Sequence, residues 1–224
     1  VTSSAGQKVR KAVRINISNL ITRNTTNQTT TITGTSDNSA FEVVALENVS
    51  SGEQNLIVNY TPTAVTDGIE TATITLYSST LEGSTSFTMT GRHVPAEFAI
   101  ISKIGDQWYA LPSDNPNATA VLISVDDDTN PTMGVTMAPE NVTWSLRTPN
   151  NSAVDRFVLT NPNNQYLNAD ANGALQMNTT YNSCEWQPVT DDLKEYQLTN
   201  AGNTKDLGVS QQKIFGTLDD NRSV

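Results

Sequence analysis

An all-β fold is predicted by three features of this sequence: apolar residues that recur with a period of two, turn formers between the apolar runs, and abundant Thr, Asn and Ser. Hydrophobic residues make up 36% of the chain and charged residues only 16%. That balance suits short strands with one wet face and polar turns. The alternation is clearest where Ala72, Ile74 and Leu76 interleave with Thr71, Thr73, Thr75 and Tyr77. One parity then faces a core and the other faces water. With 224 residues the chain has room for two domains of ordinary size.

The first half reads as strands throughout. Val13, Ile15 and Ile17 open the pattern, and Lys8, Arg10, Lys11 and Arg14 read as the wet face of that strand. Leu56-Val58-Tyr60 and Phe87-Met89 repeat the alternation, with turn signals at Ser51-Gly52, Asp67-Gly68 and Glu82-Gly83. Short strands at this spacing describe a β-sandwich. After Gly91 the run His93-Val94-Pro95-Ala96 reads as a linker, because Pro cannot donate to a ladder. A new apolar pattern starts at Phe98. The expected domains are residues 1–94 and 97–224.

The second half echoes itself. Phe98 to Ile101, Trp108-Tyr109-Ala110-Leu111 and the segment around Trp144 match Phe157 to Leu159, Tyr166-Leu167 and the segment around Trp186. A third pass starts at Tyr196-Gln197-Leu198, continues with Leu207 and stops soon after Phe215-Gly216, so the last repeat is expected to be cut short. Threefold self-similarity of this kind suggests a β-trefoil-like unit, with a different small β-barrel as the alternative. Aligned this way, Trp108 falls where Gln165 and Lys205 stand, and Ala110 falls where Leu167 and Leu207 stand. Polar equivalents imply an exposed position, and an exposed Trp suits a ligand-binding face. The competing reading makes Trp108 a core residue, since Trp is highly buried on average.

The run from Phe41 through Val58-Asn59-Tyr60-Thr61-Pro62-Thr63-Ala64 and Thr71 to Leu76, closing at Thr88-Met89-Thr90-Gly91, resembles the Ig-like domains repeated in secreted Bacteroidetes proteins. The resemblance covers residues 1–94 and implies a spacer role in a secreted or cell-surface protein. The second half resembles the β-rich C-terminal modules that follow such domains, and that resemblance implies no activity.

Several function classes are disfavoured by composition. A net charge of −10 opposes nucleic-acid binding, which needs clustered Lys and Arg. No apolar run is long enough to span a membrane, and any export signal is expected outside these residues. The single Cys184 and single His93 supply neither a disulfide nor a zinc site, and Cys184 is expected to be a small buried hydrophobe. Asp126-Asp127-Asp128, Asp191-Asp192 and Asp219-Asp220 lie beside turn formers such as Asn130-Pro131 and read as solvated loop charge rather than a carboxylate pair or calcium loop. Asn24-Thr25-Thr26 and Asn141-Val142-Thr143 have the spacing of glycosylation acceptors. No catalytic residue, metal ligand or cofactor is assigned. The expectation is a non-catalytic secreted or cell-surface module for adhesion, display or ligand binding, with a glycan or a cell-surface protein as partner and Trp108 as the candidate contact. The alternative is a carbohydrate-binding module of a larger degradative enzyme, and a third reading is an enzyme with an unrecognised carboxylate site.

Overall fold

A computed structural model describes residues 1–21, 29–50, 52–65, 68–125, 135–136, 140–150, 153–182, 184–188, 198–210 and 212–218. The chain is all-β: the described residues form strands and one short 3-10 turn, Glu140–Val142, with no α-helix among them.

Eight strands come from the first half: β1 (Thr2–Ser4), β2 (Val9–Asn16), β3 (Thr30–Ser36), β4 (Phe41–Val43), β5 (Leu46–Val49), β6 (Glu53–Tyr60), β7 (Gly68–Ser78) and β8 (Ser84–Val94). They form a five-stranded sheet in the order β1-β8-β7-β3-β5 and a three-stranded sheet in the order β2-β6-β4. The inward parity of the two sheets meets in one core, where Ile32, Leu56, Val58, Tyr60, Ile74 and Leu76 are fully buried. The outward parity of β7 carries Thr71, Thr73 and Thr75 opposite Thr90, Thr88 and Ser86 of β8. The period of two therefore works as the sequence predicts.

Strand β8 is longer than expected. It continues through Arg92 and His93 to Val94, so the only histidine belongs to a strand rather than to the linker. The reason is a second partner: β1 runs parallel to β8, pairing Thr2 with Arg92, Ser3 with His93 and Ser4 with Val94. Flanked by strands on both sides, Arg92 and His93 are buried. Gly68 makes room for the imidazole, because a Cβ there would lie 2.7 Å from His93 Cε1.

Twelve further strands follow Pro95 among the described residues: β9 (Ile101–Ile104), β10 (Gln107–Ala110), β11 (Val121–Val125), β12 (Val135–Thr136), β13 (Ser145–Arg147), β14 (Phe157–Thr160), β15 (Tyr166–Ala169), β16 (Leu175–Asn178), β17 (Glu185–Pro188), β18 (Leu198–Asn200), β19 (Asp206–Val209) and β20 (Phe215–Leu218). One sheet runs β12-β11-β10-β9, and a second runs β16-β15-β14-β17-β18-β19-β20 with β13 on β14. Trp144, Trp186, Leu111, Leu159 and Leu167 are at the centre of a core that both sheets share. Gly173, at φ 92° in the turn after β15, lets that turn rest on β20, where Thr217 N–H donates to Gly173 C=O at 2.8 Å. A Cβ at that glycine would meet the Thr217 carbonyl oxygen, in a backbone region that L side chains rarely adopt.

No described sheet mixes strands from the two sides of Pro95, yet the halves touch along a polar seam. Ser4 Oγ donates to Leu146 C=O at 3.2 Å, Lys8 N–H donates to Thr148 Oγ1 at 2.8 Å, and Thr148 N–H donates to Gln7 Oε1 at 2.8 Å. Asp155 N–H donates to Arg10 C=O at 2.6 Å while its carboxylate lies 3.3 Å from Lys11 Nζ. Val9 packs into the core of the second half, with Val1 and Val94 against it. Three of the four basic residues read as a wet face thus carry part of the seam: Lys8 through its N–H, Arg10 through its carbonyl and Lys11 through its ammonium.

Candidate functional site: two clefts at the repeat junctions

The internal echo of the second half has a physical frame. Phe98 exchanges backbone hydrogen bonds with Trp144, and Phe157 pairs with Trp186 in the same antiparallel sense. Each buried indole needs an acceptor for its N–H. Trp144 Nε1 donates to Leu111 C=O at 3.0 Å, and Trp186 Nε1 donates to Leu167 C=O at 3.0 Å. Leu111 and Leu167 are therefore equivalent positions.

That equivalence corrects the alignment read from sequence by one residue. With Leu111 matched to Leu167, the residue matched to Gln165 is Tyr109, and Trp108 is matched to Asn164. Thr204 is the third member, because Thr199 pairs with Asp206 as Thr160 pairs with Tyr166. Asn164 and Thr204 are turn residues at φ 58° and φ 60°. Trp108 itself sits in β10 between Lys103 and Ile123, half-buried against Ala110 and Ile123, with the Lys103 ammonium 5.3 Å from its ring centroid. Tyr109 is buried, and its hydroxyl donates to Gln107 Oε1 at 2.7 Å.

A second equivalence, missed in the sequence, builds two sites. Asn161 and Asn200 each begin a hairpin turn, and each is nearly or fully buried. Asn161 Oδ1 accepts from the N–H groups of Asn163 and Gln165, and Asn200 Oδ1 accepts from those of Gly202 and Asn203. Their amide nitrogens reach back to the preceding repeat: Asn161 Nδ2 donates to Ser113 C=O at 2.8 Å, and Asn200 Nδ2 to Asn168 Oδ1 at 3.2 Å. Asn203 Nδ2 adds a bond to Asp170 C=O at 3.0 Å. Each hairpin is thereby clipped onto the residues that leave the strand of Leu111 or Leu167. The shared signal is Thr-Asn-x-x-Asn at Thr160 to Asn164 and at Thr199 to Asn203.

A cleft opens at each clip. The first, of about 440 Å³, is lined by Ser113, Asp114, Asn141, Asn161 and Asn163, with Glu97 at its side. The second, of about 470 Å³, is lined by Asn168, Ala171, Asn182, Gly202 and Asn203. Asn141, Asn163 and Asn182 are exposed at the clefts, while the buried Asn161 and Asn200 hold the frame. Beside the second cleft, Tyr181 donates to Glu185 at 2.5 Å and meets Tyr166 edge-on at 5.8 Å. Burial, reinforced by the Glu185 carboxylate, pushes the Tyr181 phenol well above its ordinary range.

The other residues singled out in the sequence are dispersed. Cys184 is fully buried, donating to Asn182 C=O at 3.2 Å, and His93 is buried in the first half. The acidic runs Asp126-Asp127-Asp128, Asp191-Asp192 and Asp219-Asp220, with Asn130-Pro131, lie outside the described residues, as does Asn24-Thr25-Thr26. Among the described residues no group of three or more His, Cys, Asp or Glu side chains is placed to hold a metal, and no helix is long and apolar enough to cross a membrane.

No protein-family model matches the chain, and no curated protein matches it. Among solved structures the chain is similar to one described as the crystal structure of the YadV chaperone, at 10% identity over 88% of this chain and 92% of that chain, with a TM-score of 0.27. A likeness of that degree carries no argument about the function of this chain.

Proposed function

We propose that this chain is a non-catalytic secreted or cell-surface bacterial module for adhesion, display or ligand binding. In this reading residues 1–94 form an Ig-like spacer and residues 97–224 a trefoil-like unit that presents the contact surface to a glycan or a cell-surface protein. The observation that carries it is the repetition of a cleft with exposed asparagines at two junctions of the second half, together with a seam that ties this half to the first. A spacer that held its partner through a seam of hydrogen bonds would fix the direction in which the clefts point. Fractionation of the source bacterium, with protease shaving of intact cells, tests the location. Recovery of the protein outside the inner membrane, or its loss on shaving, is expected. Recovery only from the cytoplasm overturns the reading.

The second reading, a carbohydrate-binding module of a larger degradative enzyme, draws on the amide lining of the same clefts. The gene sequence beyond these residues discriminates the two, since an adjoining catalytic domain is required by the second and not by the first.

A further inference from the structure

We infer that the two junction clefts are a pair of equivalent subsites for one class of ligand, an uncharged and hydroxyl-rich saccharide chain. This rests on the reading of the chain as a binding module and names what it binds and where.

The first argument is duplication with divergence. The frame of each cleft is held by an equivalent buried asparagine, Asn161 or Asn200, and by an equivalent indole-to-carbonyl bond. Around that frame the residues differ, yet both clefts keep exposed primary amides: Asn141 and Asn163 in one, Asn182 in the other. A primary amide presents a carbonyl acceptor and two N–H donors side by side, which matches adjacent hydroxyls that both donate and accept.

The second argument is charge. The described side chains lining the clefts include no Lys or Arg, and the first cleft adds Glu97 and Asp114. On a chain of net charge −10, such clefts repel sulfated or uronic saccharides and leave neutral ones. Carboxylates still accept from neutral sugar hydroxyls. No aromatic ring lines either cleft, so each subsite lacks stacking and is weak by itself. Two weak subsites on one unit gain most from a polymer, since a chain long enough to reach both makes the second contact intramolecular.

Affinity gel electrophoresis of the full chain tests this, with the neutral polysaccharides mixed-linkage β-glucan, galactomannan and arabinoxylan and the anionic polysaccharides alginate and heparin as probes. Retardation by at least one neutral polysaccharide is expected, with none by the anionic two. Asn163→Ala and Asn182→Ala each remove one exposed amide, so each is expected to weaken retardation about tenfold or more and the double variant to abolish it, as loss of avidity predicts. Melting curves within about 2 °C of the parent confirm that the fold is kept. Three results overturn the inference: no retardation by any neutral polysaccharide, retardation by the anionic ones alone, or retardation that the double variant leaves intact. If Trp108→Ala abolishes retardation while the double variant retains it, the contact lies on β10. The module reading then stands and the cleft assignment falls.

Discussion

Replacing Gly91 by Ala tests how closely the two sheets of the first half approach. A Cβ at Gly91 would lie 2.5 Å from Tyr60 Cζ, 2.6 Å from Tyr60 Cε2 and 2.9 Å from Phe41 Cζ. These rings are 0% and 3% exposed and pack tilted against each other with centroids 4.7 Å apart, so neither can swing into solvent. Ordinary carbon contacts lie near 3.5–4.0 Å, and the rings must therefore retreat by roughly 1 Å. Overpacking of that kind costs about 1–3 kcal/mol. Against it stands the reduced entropy of an unfolded chain with Ala in place of Gly, worth about 0.5–1 kcal/mol. The clash should win, with a net loss of about 2 kcal/mol. Urea titration followed by far-UV circular dichroism measures this, because all three tryptophans, Trp108, Trp144 and Trp186, lie in the second half and fluorescence reports there first. In a Tyr60→Leu background the two shortest contacts are gone and only Phe41 Cζ must give, into the space the tyrosine ring left, so Gly91→Ala should cost clearly less than in the parent. A loss below about 0.5 kcal/mol in the parent, or the same loss in both backgrounds, would refute the account, since residues in contact must couple.

Trp144→Phe and Trp186→Phe each remove an indole N–H whose acceptor is a buried carbonyl, and each should cost about 2–4 kcal/mol from the orphaned acceptor and lost volume. Similar losses by denaturant titration support equivalent repeats, and a difference above about 2 kcal/mol speaks against them. Trp108→Ala removes a half-buried ring and its Lys103 contact, so a loss of about 2 kcal/mol is expected, below the 3–5 kcal/mol of a core Trp. A loss near zero would mean that the ring packs against nothing. The Glu42 carboxyl is held below its ordinary value of 4.5 by the amide of Asn59, at 2.8 Å, and then by the Lys8 ammonium. Because the folded value is the lower one, its contribution is fully present above the unfolded value and lost as pH falls through the folded value. Carbon-detected titration of Glu42 should show an inflection below 4.5 that moves up in Asn59→Ala, and an unchanged inflection would remove the amide as the cause.

Legibility in the sequence followed the strength of the local pattern. Strand β7 was readable because Ala72, Ile74 and Leu76 alternate with threonines and both parities have one environment each. Strand β1 was not, because Thr2, Ser3 and Ser4 are all buried and polar, so no alternation marks them. Their burial comes from parallel pairing with Arg92 to Val94, a contact about ninety residues away in sequence that no local signal announces. Missing β1 also turned His93 into a linker residue. In the second half the tryptophan echo was visible, but Tyr109-Ala110-Leu111 offers two small or apolar residues to match against Leu167, and only the indole hydrogen bond selects Leu111. The clefts do have a signal in the sequence. Thr-Asn-x-x-Asn recurs with different fillers, Pro162-Asn163 and Ala201-Gly202, and the fillers hide the repeat from a search guided by apolar residues.

The position of the clefts follows from how the repeats hold together. Where a repeat leaves its Leu111 or Leu167 strand, asparagines of the next hairpin bond to it: Asn161 to Ser113 C=O, Asn200 to Asn168 Oδ1 and Asn203 to Asp170 C=O. Buried polar groups must find partners, so this clip is under strong constraint and the asparagine stays. Of the residues between that asparagine and the following strand, Asn203 shares the duty through its bonds to Asp170 C=O and Thr217 Oγ1, and the rest of the turn is free to differ. The turn residues vary in number as well as identity, with Asn161 N–H bonded to Gln165 C=O and Asn200 N–H bonded to Lys205 C=O, a turn one residue longer. The junction thus joins a fixed frame to a variable lip. Such an arrangement lets two copies of one cleft differ in the residues they expose while the asparagine clip and the indole-to-carbonyl bonds are kept.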